Sequence, residues 1–184
     1  MNDGHTRESN QFSVIVVHLY LRPIVWIPHC YINWEAVCPT PIVSLSVGGR
    51  ERVYIAPDAG DFVSLAPNGF TKYYDSIGFD WKRLAGSEVL QIESMDPYDY
   101  VDLVADTVTG NYLDHGVRVN SVFTSYRLLS ASFSQRFGDL AGRSFSPIEN
   151  LTFVLIPVGE TEPETVTVPF LHVFMGNSFS DADS

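Results

Sequence analysis

Glu88-Val89-Leu90-Gln91-Ile92-Glu93-Ser94-Met95-Asp96-Pro97 decides the reading of this chain, because its pattern changes from that of a strand to that of a helix. From Glu88 to Glu93 polar and apolar residues alternate at period two, the mark of a half-buried strand, and Ala85-Gly86 introduces it. Asp96 can then cap orphan amides, Pro97 suits a first helical turn, and Asp99 sits where the positive end of a helix dipole favours a carboxylate. Val101, Val104, Ala105 and Val108 follow at i, i+3, i+4 and i+7, and Gly110 lies just past the end. A strand that runs through a short turn into an amphipathic helix is thus predicted here.

On the N-terminal side, Ile42 to Val47 alternates at period two, Gly48-Gly49 forms a tight turn, and Arg52 to Ala56 returns as a second strand. Pro57 to Gly78, with Asp58, Gly60, Pro67 and Asn68-Gly69, reads as an irregular connection. On the C-terminal side a second helix is predicted over His115 to Arg127, where Val119, Val122, Phe123 and Tyr126 repeat the helical spacing. Arg127 to Gly142 is read as holding a further strand. Leu151 to Pro157 and Thr165 to Phe170, joined by the polar loop Val158 to Glu164, form a terminal hairpin. The fold class is α+β, with mostly antiparallel strands and about two helices. Residues 1–40, with a polar lead, the apolar run Ser13 to Leu21, and Pro23, Pro28 and Pro39, are expected to be poorly structured. Residues 176–184 read as a frayed acidic tail.

At 184 residues the chain suits one domain with its own core. Eleven Lys and Arg against 22 Asp and Glu give a formal charge of −11, with no basic cluster to neutralise phosphates, which excludes nucleic acid as the expected partner. Cys30 and Cys38 are too few for a disulfide scaffold or a thiolate zinc site, and could form one local bridge. Asn150-Leu151-Thr152 is an N-glycosylation sequon. Met1 to His5 is polar and has no apolar stretch directly behind it, so no signal peptide is read, and the compartment stays open. The most apolar run, Val14 to Leu21, is far short of the roughly 20 residues needed to span a bilayer.

No Gly-x-Ser-x-Gly elbow, phosphate-binding glycine loop or His-Glu-x-x-His occurs, and no cofactor or metal is expected. His115 beside Asp114 reads as a surface or capping pair. His29 with Cys30 is half a metal site without a second ligand pair, and His172 reads as structural. Gly176-Asn177-Ser178 is the nearest approach to a serine beside an oxyanion-hole glycine, and it lies in the tail.

Asn2-Asp3-Gly4-His5-Thr6 resembles the segment that opens the PDZ-bearing region of serine peptidase family 41, the tail-specific proteases. More specific is the block Leu84 to Pro97, followed by Ala105-Asp106-Thr107, Tyr112-Leu113-Asp114, Gly116-Val117-Arg118-Val119-Asn120 and Gln135 to Gly142. In that order these are similar to the PDZ-like domain of the fungal branch related to the chlamydial protease-like activity factor. The hairpin ending in Glu164 to Phe170 fits the end of the same domain.

The resemblance implies a PDZ-like domain over residues 41–175, with peptides, protein segments or a catalytic domain as partners. It makes His5 the candidate general base to a serine in a later domain, its tautomer held by a carboxylate. That α/β region would begin beyond Ser184, so the expectation is a fragment of a serine-type endopeptidase relative, inactive alone. Glu8 to Val25 departs from the family pattern and reads as an insertion; an unspliced intron is one hypothesis, and a transcript retaining those codons would refute it. The alternatives are a stand-alone peptide-binding module, a complete serine hydrolase, or a fragment whose apolar faces await a catalytic domain.

Overall fold

The computed structural model describes residues 34–60, 69–110, 112–129, 132–143 and 148–174. The chain divides into units 1–30 and 31–184, and every described residue belongs to the second. The fold is α+β, built on a five-stranded antiparallel sheet. Its strands are β2 (Ile42–Val47), β3 (Arg50–Ile55), β4 (Glu88–Ile92), β8 (Asn150–Ile156) and β9 (Glu164–Pro169), in the order β2-β3-β4-β8-β9. Each predicted hairpin supplies one end of it. Gly48 and Gly49 take φ of +61° and +77°, the left-handed pair that a two-residue hairpin turn requires.

A smaller sheet orders β10 (Leu171–Phe174), β1 (Trp34–Val37) and β7 (Gly142–Arg143) with β1 in the middle, and β5 (Ser125–Leu129) pairs with β6 (Ser132–Arg136). Four α-helices complete the described fold: α1 (Gly69–Ser76), α2 (Pro97–Thr107), α3 (His115–Val122) and α4 (Gly138–Ala141).

Alternation along the strands puts one face of the large sheet into the core. Val53, Ile55, Val89, Leu151, Phe153, Leu155, Val166 and Val168 are all buried there, together with Tyr100, Val101, Val104 and Ala105 from one stripe of α2. Burying each large apolar side chain contributes on the order of 1.5–3 kcal/mol, so this layer holds the domain together. The cap expected of Asp96 is present: its Oδ1 accepts from the Tyr98 amide at 2.9 Å.

Two sequence expectations are corrected. The second helix does not run to Arg127 but ends at Val122, and Ser125–Leu129 is a strand. The helical spacing of Phe123 and Tyr126 is overridden by tertiary bonding: Phe123 turns extended (φ −74°, ψ 151°) and the Thr124 amide donates to the Ile42 carbonyl at 2.8 Å. Within Pro57 to Gly78, read as irregular, Gly69–Ser76 forms α1. Tyr74 explains it, since this fully buried side chain packs with Trp81 and Leu171 and repays helix formation in a segment of weak local signal. Before Pro41, β1 forms because β10 and β7 flank it, again a long-range cause.

The Tyr74 hydroxyl donates to the Pro169 carbonyl at 2.7 Å, with the Val37 carbonyl 3.4 Å away. Burial raises this phenol well above the ordinary tyrosine range, and Cys38 and Tyr73 add to the shift. The folded state therefore keeps a proton that the unfolded chain releases near the ordinary tyrosine value of about 10, so the contribution of Tyr74 is complete below that pH and is lost as pH rises above it. Tyr74→Phe is expected to cost about 1–3 kcal/mol at neutral pH by orphaning a carbonyl, and to flatten the stability loss above about pH 10. Urea unfolding at a series of pH values checks both, and an equally steep alkaline loss in the variant would refute the second.

Candidate functional site: the free edge of the sheet

Strands β2 and β9 are the two edges of the large sheet, and at β2 the tight turn sets which backbone groups face outward. With Val47 opposite Arg50 as the closing pair of the hairpin, hydrogen-bonded and non-hydrogen-bonded pairs alternate back along the strand. Ile42, Ser44 and Ser46 therefore turn their amides and carbonyls away from β3. The Ile42 carbonyl is met from that side by Thr124. Among the described residues, the outward amides and carbonyls of Ser44 and Ser46 have no backbone partner.

The N-terminal end of α2 stands beside this edge. The Ser44 hydroxyl donates to Glu51 Oε2 at 3.3 Å and so accepts from the Tyr98 hydroxyl at 2.7 Å, which ties helix to strand. On the opposite face of the strand Leu45 and Val47 are 44% and 45% exposed. A strand with one open edge beside a helix, with apolar side chains in solvent, can accept another strand.

His5, His29 and Cys30 lie outside the described residues, as do Gly176, Asn177 and Ser178. Cys38 is buried, its Sγ 2.9 Å from the Thr40 hydroxyl. Asp114 caps α3 through the Val117 amide at 2.9 Å, as its position before the helix predicts. His115 sits 3.3 Å from Asp102 and 3.5 Å from Asp106, with Arg118 bridging to Asp106 at 3.1 Å. His172 is exposed on β10. Among the described residues neither histidine bonds a serine hydroxyl, so the elements of nucleophilic catalysis are not assembled there.

Among the described residues no group of three His, Cys, Asp or Glu side chains is placed to hold a metal ion, and no helix is long and apolar enough to cross a membrane. An open depression of about 460 Å³ is lined by Arg83, Val158, Glu160 and Glu162, where Arg83 is paired with Glu164. Its carboxylates stand without a histidine, serine or cysteine in the lining. Sequence reasoning found the β2-β3 hairpin but not the site on it, because strand order is a property of the assembled sheet. No protein-family model, curated protein or solved structure matches this chain.

Proposed function

We propose that this chain is a peptide-binding module, the PDZ-like regulatory portion of a serine peptidase relative, which adds an extended polypeptide to the edge of β2 without cleaving it. The observation that carries the binding half is the outward backbone of Ser44 and Ser46 beside Tyr98 of α2. Main-chain hydrogen bonds to such an edge supply affinity, and alternate side chains of the guest meet Leu45 and Val47 on one face. The family half rests on the sequence resemblance of Leu84 to Pro97 and the blocks after it. Under this proposal His5 serves as general base to a serine of a catalytic domain, and no hydrolysis follows from the present residues alone.

Ser46→Pro tests the reading. Proline removes an amide that points away from β3, so the hairpin is expected to stay intact, as edge positions tolerate proline. A pool of fluorescein-labelled peptides with free C-termini is titrated by anisotropy. Binding by the wild type, a loss of about tenfold or more in Ser46→Pro, and recovery of full-length peptide are expected. Equal affinity in the variant would overturn the edge assignment, and cleaved peptide would overturn the non-catalytic half.

A further inference from the structure

The corner where α2 meets α3 carries exposed apolar side chains that edge binding does not use. Leu113 is 102% exposed, Tyr112 52%, and Leu103 and Val117 44% each. Leu103 shares the solvent face of α2 with Asp99, Asp102 and Asp106 by helical spacing, opposite the buried stripe of Tyr100, Val101, Val104 and Ala105. Against that face α3 is braced by His115, 3.3 Å from Asp102, and by Arg118, which donates to Asp106 at 3.1 Å. Arg118 also donates to the Tyr112 carbonyl at 2.9 Å and so pins the loop that carries Tyr112 and Leu113. These apolar groups stand on an ordered support, which lowers the entropy a partner must overcome.

The charge around them is one-sided. Asp99, Asp102 and Asp106 lie on the solvent face of α2 and Asp114 caps α3, and among the described residues the guanidinium that meets this group, that of Arg118, is already engaged with Asp106. A second copy of this chain, at −11, is repelled by such a rim, and a phosphate backbone is too. A partner that fits brings a large apolar side chain to Leu113 and Tyr112, with lysine or arginine on either side of it to meet the carboxylates.

We propose that the α2–α3 corner is a docking surface for a basic, apolar-tipped polypeptide segment, distinct from the edge of β2. Its affinity falls with added salt, because the rim is exposed and screened within about 8–10 Å. The probe is a fluorescein-labelled amphipathic Leu/Lys peptide, compared with its Leu/Glu counterpart. Wild-type protein is expected to bind the first and not the second. Leu113→Ser, whose side chain lies wholly in solvent and leaves the fold intact, is expected to weaken binding by about tenfold or more. Asp102→Asn with Asp106→Asn is expected to weaken it and reduce its salt dependence. Glu160→Gln with Glu162→Gln, which removes the same charge from the Val158 loop, and Ser46→Pro are expected to leave it unchanged. Full affinity in Leu113→Ser, or an equal loss in the Glu160/Glu162 variant, would reduce the effect to general attraction and overturn the proposal; loss in Ser46→Pro would move the peptide to the sheet edge and overturn it as well.

Discussion

Gly138→Ala is expected to destabilise the domain by about 2–5 kcal/mol, a large share of what a domain of this size possesses. Gly138 has φ of +78°, a left-handed conformation that costs an L-residue roughly 1–2 kcal/mol. The second cause is space. A Cβ built there would stand 2.5 Å from the Phe123 carbonyl carbon, 2.6 Å from its oxygen, and closer still to the carbonyl oxygen of Val122. These are backbone atoms, so no rotamer change relieves the clash. They lie where α3 ends and turns toward its bond with Ile42, so strain at Gly138 reaches the end of β2. Gly110→Ala is the control: it has open space around it and no positive φ, and is expected to change stability by less than about 0.5 kcal/mol. Urea unfolding of the two variants and the wild type makes the comparison, and a loss below about 1 kcal/mol for Gly138→Ala would contradict this account of the α3–α4 contact.

Phe153→Ala is expected to cost about 3–5 kcal/mol. Phe153 is fully buried on β8, between β4 and β9, opposite Ile92 on one side and Val166 on the other. Removing its ring takes away a large buried apolar surface and leaves a void at the centre of the sheet, where neighbours held by hydrogen bonds on both sides collapse little. Val158→Ala, on a side chain that is 69% exposed, is expected to be near neutral. Thermal and urea melts of both distinguish this from a general sensitivity of the C-terminal hairpin. A cost under about 1.5 kcal/mol for Phe153→Ala would mean that the core lies elsewhere.

Parts of this architecture were legible because their causes are local. Ile42 to Ile55 announces its hairpin by alternation around Gly48-Gly49, and Asn150 to Pro169 by two β-rich runs around a polar loop. The start of α2 is written in Asp96 and Pro97, and the cap of α3 in Asp114. Each depends on residues within a few positions of one another, so periodicity and capping chemistry suffice.

The end of α3 was not legible. Val119, Val122, Phe123 and Tyr126 carry helical spacing, yet the Thr124 bond to Ile42, 82 positions earlier in the chain, stops the helix. Nor was α1, whose main anchor is the burial of Tyr74 against Leu171 and the Pro169 carbonyl. The candidate site divides in the same way. The alternation of Ser44, Leu45 and Ser46 was visible, but not that β2 lies at the edge of the sheet or that Tyr98 stands beside it.

By itself, then, the sequence determined the α+β class, the two hairpins and the caps of α2 and α3. The tertiary structure decided that β2 lies at an edge of the sheet with α2 beside it, where α3 stops, and that the carboxylates of α2 meet His115 and Arg118 of α3. The physical reason is range. Turns, caps and amphipathic periods are set by neighbours in sequence, whereas an edge, a helix stop and a charged corner depend on which distant groups remain for each backbone or side-chain atom to bond once the core has formed.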